Sequence, residues 1–88
     1  MYRDAMHQSR EPQRLEVSAA LADSRGRACP QPIIDLARAL RVHPLVELWA
    51  DDPAARGDLL AFCEATGHVL DRLEADAPLR ALVRRRPG

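Results

Sequence analysis

The sequence predicts a two-layer α/β sandwich, with two helices on one face of a four-stranded mixed sheet in the order β-α-β-α-β-β. Three observations lead there. Apolar residues alternate with their neighbours over 15–21 and 46–50, the two-residue period of half-buried strands. Two further stretches place apolar residues three and four apart, the period of an amphipathic helix. Both helical stretches precede a last pair of strand-like segments, and the economical packing lays the helices side by side on one sheet face.

Taken in order, residues 1–14 mix Arg, Gln, His, Glu and Pro12 without a hydrophobic period. They read as a flexible N-terminal extension, so a single domain is expected over 15–86. Leu15, Val17, Ala19 and Leu21 alternate with Glu16, Ser18 and Ala20, a first strand. Asp23, Ser24, Arg25 and Gly26 then form a turn. Ile33, Leu36, Ala37 and Leu40 line a first helix, with Pro30 at its first position, Pro32 in its first turn and His43-Pro44 as its stop. Val46, Leu48 and Ala50 mark the second strand and leave Trp49 on its opposite face, either as a contact surface or under the N-terminal extension. Asp52 and Pro53 read as N-cap and first residue of a second helix, with Ala55, Leu59, Phe62 and Cys63 inward and Gly67 as its stop. His68–Ala75 and Leu79–Arg84 complete the sheet around Asp76-Ala77-Pro78.

Composition excludes several functions. At 88 residues there is no room for a large cleft between domains. Thirteen Arg balance 13 acids and Lys is absent, which excludes a Schiff-base mechanism and any general attraction to nucleic acid. Arg84-Arg85-Arg86 is either a solvated tail or a local phosphate contact. No apolar run is long enough for a membrane span, and residues 1–14 lack the apolar core of a secretory signal. A cytoplasmic protein with reduced thiols is expected.

Cys29 carries the chemistry. It lies where a strand-end loop meets a helix N-terminus, whose unpaired N–H groups favour a thiolate. Arg25 and Arg27 add positive charge nearby, so a lowered thiol pKa is expected. Alternatively both arginines are ordinary loop residues. Gly26 supplies the turn, and Pro30 and Pro32 stiffen the exit and fix the sulfur's direction. No second Cys stands three residues on, and no paired metal-ligand spacing exists, so neither a vicinal dithiol nor a structural zinc is expected. What survives is one activated, exposed thiol able to exchange sulfur with another thiol. Cys63 reads as core packing, or else as the partner of Cys29 in a reversible disulfide, which needs Cα atoms within roughly 7 Å. Asp52 reads as a cap, Asp51 as its solvated neighbour and His68 as a half-exposed strand residue.

Asp23-Ser24-Arg25-Gly26, Cys29-Pro30-Gln31-Pro32, Ala50-Asp51-Asp52-Pro53, Asp58, Phe62-Cys63 and Gly67-His68 together resemble the TusA (SirA-like) sulfur-carrier family over about residues 21–84. The resemblance implies the same sandwich and a persulfide on Cys29, without a cofactor. It also implies a donor protein (a cysteine desulfurase or a rhodanese-like protein) and an acceptor protein, serving tRNA thiolation, molybdenum-cofactor assembly or sulfur oxidation. The chain departs from the family pattern at Gln31, where many members have Glu, and at His43-Pro44, where members often have Gly. Its extension and Arg-rich end are not family hallmarks. Two other readings stay open: a protein- or RNA-binding regulatory module using Trp49 and the arginines, and a Cys29–Cys63 redox switch.

Overall fold

The computed structural model describes residues 12–87. Its elements are β1 (Ala20–Asp23), α1 (Gln31–Val42), β2 (Leu45–Ala50), α2 (Ala55–Thr66), β3 (Val69–Glu74) and β4 (Leu79–Arg84). The strands lie in the order β1-β2-β4-β3, with β1 parallel to β2 and the other pairs antiparallel. The predicted architecture is the observed one.

α1 buries Pro32, Leu36 and Leu40, one residue per turn, and α2 buries Ala55, Leu59 and Cys63 at the same spacing. Leu36, Leu40, Ala55, Leu59 and Cys63 of these form one core with Val46, Leu48 and Ala50 of β2 and Leu79, Ala81 and Val83 of β4. α1 begins one residue later than expected, with Pro30 at the N-cap and Pro32 in the first turn. α2 is likewise shifted. Asp52 and Pro53 belong to a lead-in turn, and Ala54 occupies the N-cap. Gly67 ends α2 at φ +82, a left-handed conformation that only glycine takes without a steric penalty.

Two strands depart from the sequence reading. β3 carries a bulge between Leu70 and Arg72, so Leu70 and Leu73 both reach the core although they are three apart. The extra residue breaks the two-residue alternation. β1 is shorter than expected: Leu15, Val17 and Ala19 precede it in turns and bends. The cause is a fully buried carboxylate. Glu47 points to the face away from the helices, where its oxygens accept the Leu15 and Glu16 amides at 2.8 and 3.0 Å. Those amides are diverted from any ladder. The extension read over residues 1–14 lies outside the described residues as far as Glu11, but Pro12, Gln13 and Arg14 are described, and the Gln13 carbonyl accepts a bond from Arg80.

Candidate functional site

The loop from Ser24 to Pro30 is pinned from both ends. The Ser24 amide donates to the Trp49 carbonyl at 2.8 Å, and its buried hydroxyl donates to Asp35 Oδ2 of α1 at 2.6 Å. Gln31 Nε2 donates to the other Asp35 oxygen at 2.9 Å. Burial pushes the Asp35 carboxyl up, but bonds from Ser24 and Gln31 and the charges of Arg27 and Arg38 hold it below the ordinary carboxylate value. Gly26 takes φ +82, and its amide donates to Asp51 Oδ1 at 2.8 Å. The Cys29 amide donates to Asp52 Oδ2, also at 2.8 Å, while Asp52 Oδ1 accepts the Ala54 amide. One carboxylate therefore joins the Cys29 loop to the entry of α2. Bonds from Ala54 and Cys29 hold the Asp52 carboxyl low.

Cys29 is exposed, and its Sγ contacts Asp58 Oδ2 in the first turn of α2. The expected lowering of its pKa is overturned. The hydrogen bond to Asp58 pushes the thiol up, followed by desolvation and the negative charges of Asp58 and Asp52. The expected cations are engaged elsewhere. Arg25 forms a two-point pair with Asp23 at 2.9 and 2.7 Å and stacks over Trp49 at 4.8 Å, while Arg27 lies 3.7 Å from Asp35. Asp58 is the residue the charge argument missed. It stands 29 positions from Cys29 and reaches it only through the packing of α2 against the loop.

The other candidates fall into place around this site. The Pro30 carbonyl accepts the Ile33 and Ile34 amides and so caps the first turn of α1, and Pro32 is buried beneath it. Cys63 lies in the core at 9% exposure, with burial raising its pKa. It sits five residues beyond Asp58, about 7.5 Å of helix rise, on the inner face of α2. Asp51 and Asp52 both hold the site loop, and Asp52 holds the helix entry as well. Trp49 is not a contact surface: it is 3% exposed, and its indole N–H donates to Glu47 at 2.7 Å. The arginine run is not a free tail. Arg84 pairs with Asp71, Arg85 donates to the Leu40 and Arg41 carbonyls at the end of α1, and Arg86 donates to the Thr66 carbonyl at the end of α2. His68 Nδ1 accepts the Arg86 amide at 2.9 Å. Among the described residues no three His, Cys, Asp or Glu groups are clustered to hold a metal, and no helix is long and apolar enough to cross a membrane.

The fold and the site define a small α/β sandwich that presents one exposed thiol on the loop entering its first helix, backed by carboxylates of the second helix and its lead-in. A family model described as Sulfurtransferase TusA matches residues 21–85, and the chain belongs to that family. Proteins named Sulfur carrier protein TusA from Pseudomonas putida strains F1 and KT2440 are each 36% identical over 61 residues, covering 66% of this chain and 76% of theirs. The corresponding protein of strain W619 is 34% identical over the same length.

Proposed function

We propose that this chain is a sulfur carrier that holds sulfane sulfur as a persulfide on Cys29. A donor protein's cysteine persulfide supplies the atom, and an acceptor protein's thiol receives it. One observation carries the reading: an exposed thiol on a pinned loop, with a carboxylate against its sulfur. Asp58 accepts the S–H proton as Cys29 Sγ attacks the donor's outer sulfur. A new S–S bond forms on Cys29, the donor's S–S bond breaks, and the donor cysteine leaves as a thiolate that takes up a proton. Delivery repeats the step with the acceptor thiolate attacking the outer sulfur on Cys29. The sulfane sulfur keeps its oxidation state throughout, so neither step calls for an external oxidant. A cysteine desulfurase or a rhodanese-like protein fits the donor role. The acceptor belongs to tRNA thiolation, molybdenum-cofactor assembly or sulfur oxidation.

Mass spectrometry after incubation with a desulfurase and cysteine tests this directly. The expected product gains one sulfur atom on Cys29. Cys29→Ser abolishes the gain, and Cys63→Ser leaves it. Label confined to Cys63 refutes the assignment.

A further inference from the structure

The chain's own residues 12–19 lie across part of the sheet face opposite the helices, over Glu47 and Trp49. This segment crosses three strands. Arg80 Nη1 of β4 donates to the Gln13 carbonyl at 2.6 Å. Over β2, Arg14 Nε donates to Glu47 Oε1 at 3.0 Å, beside the Leu15 and Glu16 amides. Arg14 Nη2 then closes onto the Ala19 carbonyl at 2.7 Å, next to the start of β1. A wholly buried carboxylate stays ionised only where donors replace its water, and among the described residues three of the four donors on Glu47 come from this segment. The fourth is Trp49 Nε1.

We propose that residues 12–19 are a strap that positions the Cys29 loop from across the sheet, acting through Glu47 as a positioning residue. This rests on Cys29 being the carrier cysteine. The route is short and continuous. Glu47 fixes the edge of the Trp49 indole, and the face of that ring supports the Arg25 guanidinium at 4.8 Å. Arg25 is tied to Asp23 by its backbone amide as well as its side chain, and the next residue, Gly26, is held by Asp51. Cys29 follows three positions later, with its sulfur against Asp58 and its amide on Asp52. Loss of the strap frees the indole, loosens the loop and weakens the sulfur–Asp58 contact.

The test follows iodoacetamide alkylation of Cys29 against pH, by peptide mass spectrometry so that Cys63 is counted separately. Glu47→Gln and Arg14→Ala are compared with the unaltered full chain. Amide exchange at Leu15 and Glu16 and the emission of Trp49, the sole tryptophan, report the strap. The expected result is faster exchange, red-shifted emission, and severalfold faster Cys29 alkylation at neutral pH with the profile moved to lower pH. In an Asp58→Asn background the Glu47→Gln change adds nothing, because the contact it acts through is already gone. Strap amides that exchange freely while the Cys29 profile stays put would overturn the proposal, as would strap amides unmoved in both variants. Should Glu47→Gln fail to fold, Arg14→Ala carries the comparison, since it removes a side chain that is 26% exposed. No arm needs a sulfur donor, so failure to form a persulfide would remove the carrier reading and leave the strap result standing.

Discussion

Replacing Glu47 with Ala removes the acceptor of the hydrogen bonds from Arg14, Leu15, Glu16 and Trp49 at a site with no solvent access. Removing one partner of a buried charged network costs about 3–5 kcal/mol. The lower end applies here. Arg14 and the Leu15 and Glu16 amides can swing into water with the strap, and only the Trp49 N–H is anchored in the sheet. A loss of about 3 kcal/mol in a domain of this size lowers Tm by roughly 12–24 °C. Scanning calorimetry and Trp49 emission at room temperature are the assays, and a red-shifted native spectrum ties the loss to this face. Acid supplies a second check. Burial pushes the Glu47 carboxyl up, but bonds from Leu15, Trp49, Glu16 and Arg14 outweigh burial and hold it below the usual range. A carboxyl lowered on folding contributes stability above its unfolded pKa, about 4.3 for Glu, and that contribution is lost as pH falls through the folded value. The gap between the two proteins is therefore full at neutral pH and closes in acid. Arg14 and Glu16 stand against Glu47 and are common to both proteins, so they enter the gap only through their coupling to Glu47. A Tm drop under about 5 °C, worth roughly 1 kcal/mol, refutes the reasoning.

Asp58→Asn removes the charge against the Cys29 sulfur, so the thiol pKa falls and alkylation at neutral pH quickens; a profile that stays put or moves to higher pH contradicts the assignment. Arg85→Ala strips two carbonyl contacts from the end of α1 and costs about 0.3–1 kcal/mol in urea unfolding. It leaves Cys29 alkylation unchanged, because the two lie at opposite ends of α1. Glycine replacements differ in sign. Gly57→Ala meets open space within α2 and stabilises by about 0.4–1 kcal/mol, whereas Gly67→Ala forces a side chain into φ +82 and costs about 1–2 kcal/mol. Equal effects at the two glycines would contradict that backbone reading.

What was legible in the sequence follows from how local each cause is. The inward stripes of α1 and α2 repeat within one or two turns, and Gly67 stops α2 through its own backbone, so neighbouring residues suffice to read them. β1 starts only at Ala20 although Leu15, Val17 and Ala19 alternate like a strand, and Val17 is 80% exposed. The amides that would have made the ladder go to Glu47, 31 and 32 positions away. Charge at Cys29 failed for the same reason. Arg25 and Arg27 are close in sequence, but Asp23 and Asp35 claim them, and the acid that decides the thiol arrives on another helix. Fold depended on short-range pattern, and the site's electrostatics on long-range contacts.

Exposure and ionisation pull against each other in a carrier thiol. A cysteine that is both accessible and largely thiolate is the first to oxidise, because susceptibility follows both properties. Cys29 has the access, and the acids around it withhold the ionisation. Asp52 does two things at once, since its carboxylate holds the Cys29 amide and its charge raises the thiol pKa. Two replacements separate these effects. Asp52→Asn keeps one oxygen, which can serve the Cys29 amide while the Ala54 amide gives up its acceptor, and loses the charge, whereas Asp52→Ala loses the charge and both acceptors. If the charge governs the thiol and the acceptor governs the loop, both variants move Cys29 alkylation to lower pH by similar amounts. Only Asp52→Ala then speeds hydrogen exchange at the Cys29 amide. An alkylation profile that moves in Asp52→Ala alone would show that loop geometry, and not the charge of Asp52, sets the reactivity of the thiol.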